Sequence, residues 1–308
     1  MRIAHISDLH ICSSHKRSNI RNTKLLLDYI SKNNFDHVII TGDITDNANQ
    51  KDFEIIRNLL ATYGLLENDK LSLVIGNHDI FGGIQKAEDI LKFPSKCRQT
   101  DYKEKIKQFR KYFIEAFWDA FHPNKDEIFP FAKDLGDILI IGVNSIDQYS
   151  KLRNPFASNG KLSKKEIEGL KKILSTEEYK LKIKILIIHH HFYKELIYKT
   201  NTNPTFLERI EKQTMKMKGK KRLIKLLIEN DIKLVLHGHL HESCEYIKGG
   251  IPFLNAGATI DGSNQNCIYL NEIEITPTTT NYKIRNILET KLQPVIEIFP
   301  ASASKVAV

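Results

Sequence analysis

Short apolar runs of strand length alternate along this chain with longer segments whose apolar positions recur every three to four residues. Ile3 to Ile6 predicts a first strand, and Ile20, Leu25, Leu26, Tyr29 and Ile30 mark a helix between about Asn19 and Asn33. Val38 to Ile40 predicts a second strand, Asp52 to Tyr63 a second helix and Leu71 to Ile75 a third strand. Ile138 to Val143, Ile183 to Ile188 and Leu234 to Leu236 are later runs of the same kind. Strand and helix in this alternating order predict an α/β core. The rhythm breaks over residues 81–137, where an aromatic-rich helix is expected from Tyr102 to Phe121 and turns around Pro123 and Pro130, so the stretch reads as a cap-like insertion. Ser163 is the expected N-cap of a helix from Lys164 to Leu174, with Glu166 completing a capping box. After Ile251 come short strands, Ile268 to Ile275 with a partner from Tyr282 to Leu288, and then a small-residue tail, residues 301–308, expected to fray. There is no internal repeat or low-complexity linker, so residues 1–300 are expected to form a single domain.

Composition sharpens this picture by exclusion. With 41% hydrophobic and 27% charged residues in 308, the chain has material for a large core and is neither a disordered tail nor a stapled miniprotein. Apolar runs such as Ile185 to Ile188 fall far short of the about twenty residues that a membrane span needs. Residues Met1 to Asp8 carry a charge and a polar cluster where a signal peptide has its apolar stretch, and no export is expected. Cys12, Cys97, Cys244 and Cys267 lie far apart without a CxxC pair, which indicates neither a disulfide framework nor a cysteine zinc site and points to a reducing, cytoplasmic setting.

The chemistry gathers at the strand ends. Of the 12 histidines, His10, His78, His189, His190, His191, His237, His239 and His241 follow expected strands and stand beside Asp, Asn or Gly. Groups beyond the carboxyl ends of strands in an α/β sheet are where ligands bind. Asp8 and His10, spaced i and i+2, point to one side of an extended chain, and His239 and His241 repeat that relation after Gly238. Asp43 follows Gly42, and Asn77 and His78 follow Gly76. Each motif has a bland reading. Asp8-Leu9-His10 alone reads as a turn Asp beside a surface His, and Gly42-Asp43-Ile44-Thr45-Asp46 alone as a turn running into a helix cap. Gly76-Asn77-His78-Asp79 is sharper, since four specified residues recur by chance in roughly two of a thousand chains of this length. His5 and His37 read as core or strand-edge residues, His15 and His122 as surface ones, and His237 as a neighbour supporting His239. Oxygen and imidazole donors without thiolate suit manganese, iron, zinc or cobalt better than copper(I).

Taken in order, Asp8-Leu9-His10, Gly42-Asp43-Ile44-Thr45-Asp46, Gly76-Asn77-His78-Asp79, His189-His190-His191 and Gly238-His239-Leu240-His241 resemble the calcineurin-like metallophosphoesterases, from residue 1 to about 260. The resemblance implies a four-layer αββα sandwich of two mixed sheets flanked by helices, and two divalent metal ions, manganese foremost with iron or zinc as alternatives. It implies that Asp8, His10, Asp43 and His241 hold one ion, that Asp43, Asn77, one residue of the triplet and His239 hold the other, and that Asp43 bridges them. Phe192 stands where the family usually has proline after two histidines; aligning on it selects His190, with His189 as second choice. The resemblance further implies a metal-bridging hydroxide as the nucleophile for in-line attack on phosphorus, since two such ions would lower the pKa of a shared water. His78 would then stabilise the transition state or protonate the leaving oxygen, oriented by Asp46.

The wording of these motifs most resembles the bacterial branch that cleaves cyclic nucleotides and glycerophosphodiesters, so the expected partner is a small phosphoester. Arg153 is the candidate for a second phosphate contact. The alternatives are a phosphomonoesterase, a sugar-nucleotide pyrophosphohydrolase, a nuclease, which the short C-terminal region argues against, and a scaffold that has lost catalysis. The formal charge of +9 gives no strong sign of nucleic acid, because seven basic residues between Lys212 and Lys225 supply most of it. That segment, residues 212–225, reads first as a solvated face, then as a steering patch or a peripheral contact with an acidic membrane.

Overall fold

A computed structural model describes residues 1–84, 88–192, 215, 217–240, 243–257, 259–260, 267–276 and 279–288, with the backbone alone at 296–298. Two six-stranded mixed sheets carry the architecture. In the first, β1 (Arg2–Ile6) pairs in parallel with β2 (His37–Ile40), and β2 in parallel with β3 (Leu71–Leu73). The second sheet takes β4 (Phe131–Leu135), β5 (Ile138–Gly142), β7 (Ile183–Ile187), β9 (Ile232–His237), β11 (Ile251–Asn255) and β10 (Cys244–Lys248). Between β5 and β7 in the chain lies β6 (Gly160–Lys161), which pairs with β8 (Met217–Lys218) in a small separate ladder. The first sheet is completed on the far side of β1 by β12 (Tyr269–Ile275), β13 (Thr280–Asn286) and β14 (Ile296–Ile298), all antiparallel.

The helices cover the outer faces. The α1 helix (Arg17–Lys32) buries Leu26, Leu27 and Ile30, and α2 (Gln50–Thr62) buries Phe53, Ile56 and Leu60, in the same core as β1, β2 and β3. The second sheet shows its two sides by alternation. Ile138, Ile140, Ile185 and Ile187 face the first sheet's core, while Leu139, Ile141, Leu186 and Ile188 pack with Leu170 and Ile173 of α6 (Lys164–Leu174). The same second core takes Leu223 and Leu227 from a later helix, Lys220–Glu229, here called α7. This is the expected layering of helices, two sheets and helices. No helix among the described residues is long and apolar enough to cross a membrane.

Three local expectations are corrected. The helix expected from Tyr102 to Phe121 is α5 (Tyr102–Tyr112) followed by a separate 3-10 turn, Ile114–Phe117. Phe113 leaves helical geometry at φ −128°, while Phe109, Phe113 and Phe117 are all buried in the same core as the first sheet. The residue range read as an insertion starts at the last residue of α3 (His78–Phe81) and contains α4 (Asp89–Gln99) and α5, but it also supplies edge strand β4 to the second sheet. The capping box is half built. Ser163 Oγ accepts from Glu166 N at 3.1 Å, but the Glu166 carboxylate accepts from Asn144 N at 3.2 Å. Residues 301–308 lie outside the described residues.

One buried cation ties these parts together. Lys133 of β4 is fully buried, and its Nζ donates to the carbonyls of Asn68 and Ala116 at 2.7 Å and to that of Leu71. Lys133→Met would leave those carbonyls without this donor, so the expected cost is about 2–4 kcal/mol. Urea unfolding checks it; an unchanged midpoint would contradict this role for Lys133.

Candidate metal centre

Because β1, β2 and β3 run parallel, as do β5, β7, β9 and β11, their carboxyl ends emerge on the same edge. Asp8 and His10 follow β1, Asp43 and Asp46 follow β2, Asn77 and His78 follow β3, His189 follows β7 and His239 follows β9. The loops are stitched together by backbone bonds. Asp8 N donates to Gly42 O at 3.1 Å, His10 N to Asp43 O at 3.0 Å, and Gly238 N to His189 O at 3.1 Å. The two sheets meet where His239 N donates to the Asp8 carboxylate at 3.0 Å.

The backbone is strained where the donors are. Asp8, His10, Asp43 and His239 have φ of 54°, 43°, 49° and 72°, a left-handed conformation costing about 1–3 kcal/mol per non-glycine residue. Close packing holds them there. A Cβ at Gly76 would collide with the backbone nitrogen and Oδ1 of Asp43, and one at Gly238 with the side chains of Ser7 and Asp8. Asp79 locks the Asp43 turn by accepting from Thr45 N at 2.8 Å, Gly76 N at 2.9 Å, Thr45 Oγ1 at 3.0 Å and Ile44 N at 3.2 Å. Burial and the charge of Asp43 push Asp79 up to about 6 against those donors.

Two clusters of ligating atoms share Asp43. One comprises Asp8, His10 and Asp43, the other Asp43, His189 and His239; within each, the atoms lie within 4.8 Å of one another. Around His189 Nε2 stand Asn77 Oδ1 at 3.0 Å, His239 Nδ1 at 3.1 Å and Asp43 Oδ2 at 3.4 Å. His189 Nδ1 faces the carbonyl of Thr41 at 2.8 Å, which holds a proton on Nδ1 and leaves Nε2 as the nitrogen that could ligate. Asn77 Oδ1, His239 Nδ1 and Asp43 Oδ2 thus converge on His189 Nε2, and one divalent cation among them would engage all four atoms. The buried Nε2 of His239 also has no hydrogen-bond partner among the described residues. The donor set therefore fits the metal ions that the resemblance implies.

Within the triplet, the geometry groups His189, the second choice, with Asp43 and His239. His190 Nδ1 lies 2.8 Å from Ser145 Oγ and Nε2 lies 3.2 Å from Ser158 O, so both of its ring nitrogens have other partners. His191 faces Met215 O at 3.0 Å, and His237 meets Tyr246 Oη at 2.8 Å. His241 lies outside the described residues.

Electrostatics follow from burial and crowding. Asp8 rises to about 6 through burial and the charge of Asp43, partly offset by His189. Asp43, despite burial, stays well below the usual carboxylate range beside His189 and His78. His78 differs from the cluster histidines in being 24% exposed. Its Nδ1 lies 3.1 Å from Asp46 O and 3.6 Å from Asp46 Oδ1, and although burial lowers its pKa, Asp43 and Asp46 raise it to about 9. Asp46 also stands 3.3 Å from His10 Nδ1, so it orients two imidazoles where the sequence suggested one.

Arg153 is not brought into either cluster. Its side chain is exposed on the loop after β5, and its carbonyl accepts from Asn159 and from Lys218. Within the basic segment, Lys218 pairs with Asp147 at 2.8 Å and Lys225 with Glu229 at 3.6 Å. Sequence reasoning missed the clamp role of Asp79, although it is the last residue of the sharpest motif, and the placing of His15, whose Nε2 reaches Asp46 Oδ2 at 3.3 Å.

Residues 1–243 match the family model of calcineurin-like phosphoesterases. No curated protein matches in sequence. Among solved structures, the fold is similar to a dimetal phosphatase from Danio rerio, at TM-score 0.60 and 10% identity over 93% of this chain and 96% of that one. It is also similar to a purple acid phosphatase from seeds of yellow lupin (Lupinus luteus), at TM-score 0.60 and 12% identity over 96% of this chain but only 53% of that one, so this chain spans about half its length. A third likeness, at TM-score 0.50 and 11% identity over 99% of this chain and 90% of that one, is to the anchor in the inner membrane complex of Plasmodium. With its sequence matched across residues 1–243 and the clusters standing at its strand ends, the chain belongs to the calcineurin-like phosphoesterase family.

Proposed function

We propose that this protein hydrolyses a small phosphodiester, of cyclic nucleotide or glycerophosphodiester type, with two divalent cations held around Asp43, manganese foremost. The observation that carries the reading is the pair of buried ligand clusters sharing that one carboxylate. Asp8, His10 and Asp43 would hold one cation, joined by His241 on the resemblance alone; Asp43, Asn77, His189 and His239 would hold the other. Such cations supply Lewis acidity toward a phosphoryl oxygen and a water ionised near neutral pH. Asn77 contributes a neutral oxygen, which limits negative charge facing an anionic substrate. His78, with Nδ1 held at Asp46, keeps a proton on Nε2 for the leaving oxygen. Arg153 is proposed as a contact for a second phosphate oxygen, from a loop that reaches His190 at Ser158.

Turnover with added manganese on bis(p-nitrophenyl) phosphate and on p-nitrophenyl phosphate tests the reading. The diester is expected to be preferred, and Asn77→Ala to lose activity on both. A clear monoester preference would overturn the diester assignment, and no metal-dependent activity on either would overturn catalysis.

A further inference from the structure

A second group of ligating atoms adjoins the site. Two residues beyond His10 stands Cys12, and the loop that follows folds back through a bridge between Cys12 and Lys16. Ser13 N donates to Asp52 Oδ1 at 2.8 Å, which pins this loop to the first turn of α2. His15 is thereby carried over Cys12, with Nδ1 3.3 Å from Sγ, and its Nε2 lies 3.3 Å from Asp46 Oδ2. One ligand atom from each of Cys12, His15 and Asp46 falls within 4.8 Å of the others. Ser14 Oγ stands beside them, 3.2 Å from Sγ and 2.8 Å from His15 Nδ1. Cys12 and Asp46 are buried, while the His15 side chain is 39% exposed, so the group is reachable from solvent through one residue.

Thiolate, imidazole and carboxylate together favour a borderline metal such as zinc or cobalt over manganese, and three protein ligands leave a fourth position for water. We propose that Cys12, His15 and Asp46 form a separate, inhibitory site for zinc. Asp46 is the link. Its Oδ2 faces His15, while its Oδ1 is 3.3 Å from His10 Nδ1 and 3.6 Å from His78 Nδ1. A cation on Oδ2 draws charge from the carboxylate and loosens its hold on His78, as the Cys12 thiol gives its proton to solvent. Lys16 Nζ, 3.4 Å from Asp46 Oδ1 and partly exposed, competes with that cation, so the site fills only as zinc rises. The inhibition rests on the phosphoesterase reading; the site itself does not.

The full chain loaded with manganese tests both parts, with cobalt and zinc salts as probes. Cobalt titration of the wild type should raise a near-ultraviolet thiolate-to-cobalt charge-transfer band. The Asp43 clusters contain no sulfur, so cobalt entering them gives no such band. Cys12→Ser should lose the band, and His15→Ala should need about tenfold more cobalt to develop it. Zinc should slow turnover of the wild type, should not slow that of Cys12→Ser, and should need about tenfold higher concentration to slow that of His15→Ala, and both variants should match the wild type in manganese alone. No band in the wild type, or an undiminished one in His15→Ala, overturns the site even if Cys12→Ser does not fold. The expected bands with equal zinc inhibition in all three proteins overturn the inhibitory role. Absence of turnover in manganese, with the bands as expected, counts against the phosphoesterase reading and leaves the site standing.

Discussion

Asp43→Asn is expected to lower turnover by about four orders of magnitude, roughly 5.4 kcal/mol of transition-state stabilisation, while the fold survives. Asp43 is the carboxylate common to both ligand clusters, so losing its charge weakens both cation positions at once. The amide is nearly isosteric, and its oxygen can still accept from His78 N, as Asp43 Oδ1 does at 2.8 Å. The Gly76 turn that packs against Asp43 is therefore undisturbed. Thermal unfolding beside turnover at saturating manganese checks this. A variant with native stability and more than about a tenth of wild-type activity would show that Asp43 does not bridge.

His78→Ala should lose about 10²–10⁴ in kcat and keep both metals. His78 donates its backbone N–H to Asp43, a bond that alanine retains, and its side chain belongs to neither of the two Asp43 clusters. What disappears is the proton donor whose pKa Asp43 and Asp46 raise against burial, toward about 9. An acid of this kind works while protonated, so wild-type activity falls as pH rises through its pKa. The variant should lack that alkaline limb. Retained turnover, or an unchanged pH profile, would remove His78 from the reaction.

How far the sequence foretold this molecule depends on the range of the force involved. The strands after which the donors stand were legible because runs such as Val38 to Ile40 and Ile138 to Ile141 have no use outside a buried sheet. The division of Ile138 and Ile140 from Leu139 and Ile141 between two cores follows from the period of two. Asp8, His10, Asp43, Asn77 and His239 were legible as an ordered set at strand ends. His189 was not, because three consecutive histidines look alike in sequence. Which of them stands beside Asp43 and His239 is set by Thr41 O and Ser145 Oγ, which lie 148 and 45 residues from the rings they bind. Glu166 failed as a capping residue for a similar reason. It is buried against Asn144, 22 residues away, where burial pushes it up to about 8. His15 was read as a surface residue, and it is partly exposed; the chain reversal that sets it on Asp46 has no signature in hydrophobic pattern.

The central claim is a two-metal site built on Asp43 with His189 as the ligand of the triplet. Metal content after exhaustive dialysis against manganese tests it most directly, measured by elemental analysis on the wild type, His189→Gln and His190→Gln. The account expects two equivalents per chain in the wild type and in His190→Gln, and about one in His189→Gln, since the cluster of Asp8, His10 and Asp43 remains. Two equivalents in His189→Gln with one in His190→Gln would contradict it.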